Sequence, residues 1–214
     1  RVHHFNIRQP HCALEITMEA VVETRREDPF HGLDTVSGGE GFYGPPLRAA
    51  HCEWLLPTRR VPFDDGAVAG ELDALSARAW REARGESPVA FLLALTACVH
   101  REFPFAPETT GVDTTLSEVL SHHRRGVCQD FAHVMLAVCR RAGIPSRYVS
   151  GYLYTGRGLH SGDVTHAWVE CLVPDAEGRP VWRGFDPTNN LMAGKSYVKV
   201  HLGRDYGDVA PTRG

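Results

Sequence analysis

The stretch Gly126-Val127-Cys128-Gln129-Asp130-Phe131-Ala132 places a cysteine where a glycine turn hands over to a helix. The helix itself is read from an apolar repeat: Phe131, Val134, Met135, Val138, Cys139 and Ala142 recur on one stripe, and Gly143 with Pro145 supplies the stop. Cys128 stands one turn before Phe131, so its thiol extends that stripe and faces whatever packs on the helix. A thiol at a helix start is an activated thiol, because unpaired N–H groups and the positive end of the helix dipole favour thiolate over thiol.

Partners for such a nucleophile lie downstream. Three strand-like runs, 146–155, 164–173 and 180–186, come after the helix, the last two joined by the turn Pro174-Asp175-Ala176-Glu177-Gly178-Arg179. The second contains Thr165-His166-Ala167-Trp168-Val169-Glu170, and the third ends in Trp182-Arg183-Gly184-Phe185-Asp186-Pro187. Cysteine, histidine and aspartate in that order supply a nucleophile, a base and an orienting carboxylate. Strand parity puts Ala167, Val169, Cys171 and Val173 on one face and His166, Trp168 and Glu170 on the other. Asp186 shares parity with Gly184 and Trp182, so it neighbours His166 if the hairpin register permits. Trp168 is read either as cleft wall or as packing.

Upstream, Leu72, Leu75, Ala79 and Trp80 have helical spacing within 67–83, and Ser87-Pro88 opens a second helix carrying Phe91, Leu92, Leu95, Val99 and Phe103. Thr115-Leu116-Ser117-Glu118 has capping-box form and starts a short helix through Leu120. Residues 26–48, with Gly38-Gly39, Gly41, Gly44 and Pro45-Pro46, read as a loop or linker. The alternation in Ala13-Leu14-Glu15-Ile16-Thr17-Met18-Glu19-Ala20-Val21-Val22 reads as antiparallel strands. The expected organisation is a partial β-rich module and linker over 1–60 and a catalytic core over 61–214. The start at Arg1 reads as an excerpt from a longer protein.

Composition narrows the function. The net charge is −3 with Lys and Arg scattered among acids, so the basic face that nucleic acid needs is missing. The longest apolar runs fall far short of the roughly 20 residues that span a bilayer, so no membrane segment is expected. Six cysteines without a C-x-x-C pair fit a reducing compartment, which makes the cytoplasm the expected location. Cys98, Cys139 and Cys171 read as small buried hydrophobes. Twelve histidines include the adjacent pairs His3-His4 and His122-His123 but no metal-ligand spacing, so neither a metal nor another cofactor is expected.

The three motifs around Cys128, His166 and Phe185-Asp186-Pro187-Thr188-Asn189 together resemble the transglutaminase-like superfamily, over roughly residues 60–210. The resemblance implies a papain-like α+β fold, with helices packed on an antiparallel sheet and a β-rich segment before the core. It implies that Cys128 is the nucleophile, His166 the general base and acid, and Asp186 the residue orienting the imidazole. The implied chemistry is acyl transfer through a thioester on a peptide or protein substrate. The backbone N–H of Cys128 is a natural oxyanion donor. Animal transglutaminases carry an aromatic residue after the catalytic cysteine, where this chain has Gln129, here a candidate cleft residue. No D-x-D-x-D-G calcium loop is visible. Hydrolysis, as a protease or amidase, is therefore the expected default. The alternatives are a non-catalytic peptide- or partner-binding module of the same fold and a true protein-glutamine γ-glutamyltransferase. The oligomeric state is open.

Overall fold

A computed structural model describes residues 12–13, 15, 17, 19–33, 41–83, 87–154 and 165–210. Its helices are α1 (Pro45–Ala50), α2 (Gly66–Glu82), α3 (Pro88–Glu102), α4 (Leu116–Glu118), α5 (Cys128–Arg141) and α6 (Tyr206–Val209). Its strands are β1 (Ser146–Leu153), β2 (Thr165–Pro174), β3 (Pro180–Asp186), β4 (Leu191–Met192) and β5 (Tyr197–Gly203). None of the helices is long and apolar enough to cross a membrane among the described residues.

The local signals act as read. Ser87 caps α3 by accepting the Ala90 N–H at 3.0 Å, with Pro88 at the first helical position, where no N–H is missed. The capping box of Thr115 and Glu118 starts α4, which passes into one π-helical turn over Val119–His123. That turn ends on Arg124 in the left-handed region, at φ 45°. At the end of α5, Gly143 takes φ 77°, its N–H reaches the Arg140 carbonyl, and the Ile144 N–H reaches that of Cys139. This double return satisfies carbonyls that the helix end would leave unpaired.

α5 departs from the one-stripe reading. Every residue from Gln129 to Arg140 is buried, because the sheet covers one side of the helix while α2 and α3 pack against others. A helix covered all round needs partners for its polar positions as well. Burial pushes the His133 imidazole down to about 3, with Arg60 and Arg140 adding and Asp205 opposing. Neutral, His133 accepts the Tyr206 N–H at 3.3 Å. Arg140 donates to the carbonyls of Leu56, Ser146 and Arg204.

The sheet is antiparallel in the order β4-β3-β2-β1-β5. Its aliphatic face, with Ala167, Val169, Cys171, Val173, Phe185 and Tyr148, joins the core built on α5. β4 and β5 lie at opposite edges, yet only residues 193–196 separate them. Four interstrand gaps in a flat sheet measure about 19 Å. The link includes a tight turn, with the Tyr197 N–H on the Gly194 carbonyl at 3.1 Å, and so reaches only about 14 Å. The sheet must therefore curl until its edges approach, and the link passes over the face opposite α5, where His166 stands.

Residues 19–22, in the stretch read as strands, have no ladder partner and are exposed, whereas Leu14, Ile16 and Met18 lie outside the described residues. The chain reaches the sheet further on: Thr24 donates to the Lys195 carbonyl, Arg183 to that of His31, and Leu33 bridges Asp175. Within the stretch read as linker, the short helix α1 starts on Pro45, and Tyr43 donates to the Leu172 carbonyl at 2.8 Å. Gly38-Gly39 and residues 155 and 164, at the ends of two strand readings, lie outside the described residues.

Candidate active site

Cys128 is the first helical residue of α5, where backbone N–H groups have no intrahelical acceptor. The turn before it is held from two sides. Residue 105 bridges Gly126 in parallel fashion, with the Ala106 N–H on the Gly126 carbonyl at 2.8 Å and the Gly126 N–H on the Pro104 carbonyl at 3.3 Å. Asp130 Oδ2 accepts the Val127 N–H at 2.8 Å and the Thr110 hydroxyl at 2.6 Å. A Cβ on Gly126 would run into the Asp130 side chain, so the glycine is required by close approach.

Asp130 is thus a buried cap. Burial pushes its carboxyl upward, while the bonds from Thr110 and Val127 pull the other way. Asp130→Ala strands the Val127 N–H and the Thr110 hydroxyl beside Cys128. The expected loss is about 1–3 kcal/mol of folding stability, measured from the urea midpoint at unchanged slope. An unaltered midpoint would show that the cap does not hold the turn.

His166, near the start of β2, is 6% exposed. Its Nε2 donates to Asp186 Oδ2 at 2.7 Å, leaving Nδ1 as the other ring nitrogen, and Cys128 lies near enough to act on the imidazole electrostatically. The register explains the meeting with Asp186. Glu170 pairs with Gly184 and Val169 with Phe185, so one step further Asp186 stands opposite Trp168, diagonal to His166 on the same face.

Asp186 is fully buried and accepts five hydrogen bonds: His166 Nε2, Tyr197 OH and Asn189 Nδ2 on Oδ2, each at 2.7 Å, and the Thr188 and Asn189 N–H groups on Oδ1 at 2.8 and 3.2 Å. Burial pushes its carboxyl up. The bond and charge of His166, with the bonds from Tyr197 and Asn189, outweigh this and hold it below the usual carboxylate range. For His166, burial pushes the imidazole down, but the Asp186 and Cys128 contacts more than offset it and raise it to about 9. The Asp186 carboxylate and the Cys128 sulfur thus favour the protonated ring.

Trp168 is not an open cleft wall: it is 2% exposed. Its ring stacks near His166 at 6.2 Å and meets Tyr197 edge-on at 5.3 Å. Gly151 and Gly184 flank it, and a Cβ on either would press against the indole. Gln129 is also buried, its amide donating to the Val112 carbonyl at 3.3 Å, a bond that ties the first turn of α5 to the 104–114 loop. Cys98, Cys139 and Cys171 are buried, Cys12 and Cys52 exposed, and Cys128 is intermediate. No group of three His, Cys, Asp or Glu side chains suited to a metal ion occurs among the described residues.

Sequence reasoning assigned no role to Asn189 or Tyr197. Asn189 ends the quoted Asp186 motif, where an amide three residues on can fold back onto a carboxylate. Tyr197 has no local signal, since only the curl of the sheet brings the start of β5 to the end of β3.

A family model for the transglutaminase-like superfamily matches residues 74–187, a span that contains Cys128, His166 and Asp186. An uncharacterized protein of Mycobacterium leprae is 34% identical over 215 residues, covering 98% of this chain and 70% of that protein. A protein-glutamine γ-glutamyltransferase of Pseudomonas aeruginosa is 38% identical over 112 residues, which is 47% of this chain and 16% of the enzyme. Among solved structures, a candidate cysteine protease from Cytophaga hutchinsonii superposes with a TM-score of 0.58 at 27% identity. The match covers 78% of this chain, which spans 52% of that protein.

Proposed function

The chain belongs to the transglutaminase-like superfamily, and we propose on that footing that it is a thiol-dependent enzyme cleaving peptide or isopeptide amides with water as acceptor. The observation that carries the reading is the His166–Asp186 hydrogen bond, with Cys128 at the start of a buried helix acting on the same imidazole. The thiolate of Cys128 attacks the amide carbonyl, forming a C–S bond and a tetrahedral oxyanion near the Cys128 N–H. Collapse breaks the C–N bond, and His166 gives its proton to the departing amine. Water then attacks the thioester and loses a proton to His166. The C–S bond breaks, releasing the acid and returning the sulfur and the imidazole to their starting forms. Asp186 keeps Nε2 protonated and the ring oriented throughout.

Iodoacetamide alkylation at pH 6–7 tests this. Cys12 and Cys52 are more exposed than Cys128, so they serve as internal comparators. Cys128 is expected to react at least about tenfold faster than either, and His166→Ala to bring it down to their rate. Equal labelling of the accessible thiols would sink the proposal. A second reading, transfer to an amine, is favoured by the similarity to the P. aeruginosa γ-glutamyltransferase. It wins if a primary amine added to the turnover assay is incorporated in place of water.

A further inference from the structure

Three donors meet at one oxygen of Asp186. His166 Nε2, Tyr197 OH and Asn189 Nδ2 all stand 2.7 Å from Oδ2, although a carboxylate oxygen offers two lone pairs. We propose that Tyr197 is a positioning residue that limits the hold of Asp186 on the His166 imidazolium, keeping the ring acidic enough to return its proton to a leaving amine. The inference rests on the Cys128–His166 reading above and adds to it a residue that touches neither the sulfur nor the imidazole proton.

The phenol competes directly with the imidazolium. Its hydroxyl points positive hydrogen at the same oxygen that binds Nε2–H, which drains charge from the acceptor and sets a small positive charge beside the cation. Both effects weaken the imidazolium. The titratable groups facing His166 are Cys128 from α5 and Asp186 from β3, and Tyr197 from β5 acts through Asp186; Trp168 and Asn189 complete the surround without titrating. The carboxylate does not depend on Tyr197 for its place. The Thr188 and Asn189 N–H groups fix Oδ1, and Asn189 Nδ2 remains on Oδ2.

Tyr197 is held where it can act. Its ring rests edge-on against Trp168, and its backbone pairs with Leu153 of β1. Burial, followed by the Asp186 charge, pushes the phenol well above its ordinary value, so it remains a donor throughout the working range. A tyrosine kept only for packing would need its ring but not a hydroxyl aimed at the carboxylate.

The test is an NMR titration of the His166 ring in the free protein, which requires no substrate. Tyr197→Phe keeps the ring and removes the donor. The His166 midpoint is expected to rise by at least half a pH unit, while alkylation of Cys128 at neutral pH stays within about twofold. Site-specific replacement of Tyr197 by a fluorotyrosine, a stronger donor of the same shape, is expected to move the midpoint down. It also decides the question if Tyr197→Phe folds poorly. A midpoint that falls or does not move in Tyr197→Phe, or that fails to fall with the fluorotyrosine, overturns the role. If His166→Ala leaves Cys128 alkylation unchanged, the Cys–His reading itself has failed, which is a different result from an unmoved titration beside a normal His166→Ala loss.

Discussion

Asp186→Asn is expected to slow amide turnover by about 10³–10⁴-fold while leaving the chain folded. The amide is isosteric, and the Thr188 and Asn189 N–H groups can still hold its oxygen, so the loss is electronic and orientational. The carboxylate keeps the proton on Nε2 and stabilises the imidazolium. An asparagine does neither: it permits the wrong tautomer and removes the negative charge that offsets burial of the ring. His166 is raised to about 9 in the wild type, so activity that needs the imidazolium falls as pH rises through about 9. In Asp186→Asn this alkaline limb is expected to drop by more than one unit, toward the ordinary imidazole value of about 6.5. A limb that stays near its wild-type position would mean that Asp186 does not support the ring.

The same protonation is linked to folding. The raised His166 contributes stability that is fully present below about 6.5 and is lost as the pH climbs through about 9. The lowered Asp186 contributes stability present above about 3.9, lost as the pH falls through its native value. Both contributions disappear together in the substitution.

Trp168→Ala is expected to cost about 3–5 kcal/mol of folding stability, the range for deleting a large buried aromatic. The indole is almost wholly enclosed, wedged between two glycines that have no room for a side chain, and it supports both His166 and Tyr197. The denaturant midpoint should fall sharply at constant slope. Any surviving activity should be reduced, because the ring that His166 presents to the thiol loses its backing. A cleft residue would behave otherwise, changing substrate affinity while sparing stability. A variant of wild-type stability with only a weakened KM would restore the cleft reading.

Much of this site was legible in the chain because its signals are local. A glycine before a cysteine, an acid in the first turn and an apolar repeat ended by Gly143 specify where α5 begins and stops, and each acts within a few residues. Alternation in 165–173 separated the aliphatic face from the His166 face, since side-chain period two is a property of the strand alone. The order of Cys128, His166 and Asp186 needed no coordinates. The polar role of Asp130 as a cap was half visible: a first-turn acid suits the dipole, but its bond to Thr110 depends on a loop 20 residues away.

Other features depended on how separate segments pack. The stripe on α5 became a helix buried all round, because helices α2 and α3 bury the sides that the sheet does not reach. The two-residue offset between His166 and Asp186 belongs to the β2–β3 pairing, which parity allows but does not choose. Trp168, which the sequence left open between cleft wall and packing, is enclosed between Gly151 and Gly184, each on a different strand. Tyr197 reaches Asp186 only because the sheet curls between its edges. By itself, then, the sequence determined the helix that Cys128 opens and the order in which His166 and Asp186 follow it, all set by short-range periodicity and capping. Tertiary structure decided the register that joins His166 to Asp186 and the fifth strand that brings Tyr197 to them, because both depend on pairing between segments whose local patterns carry no record of one another.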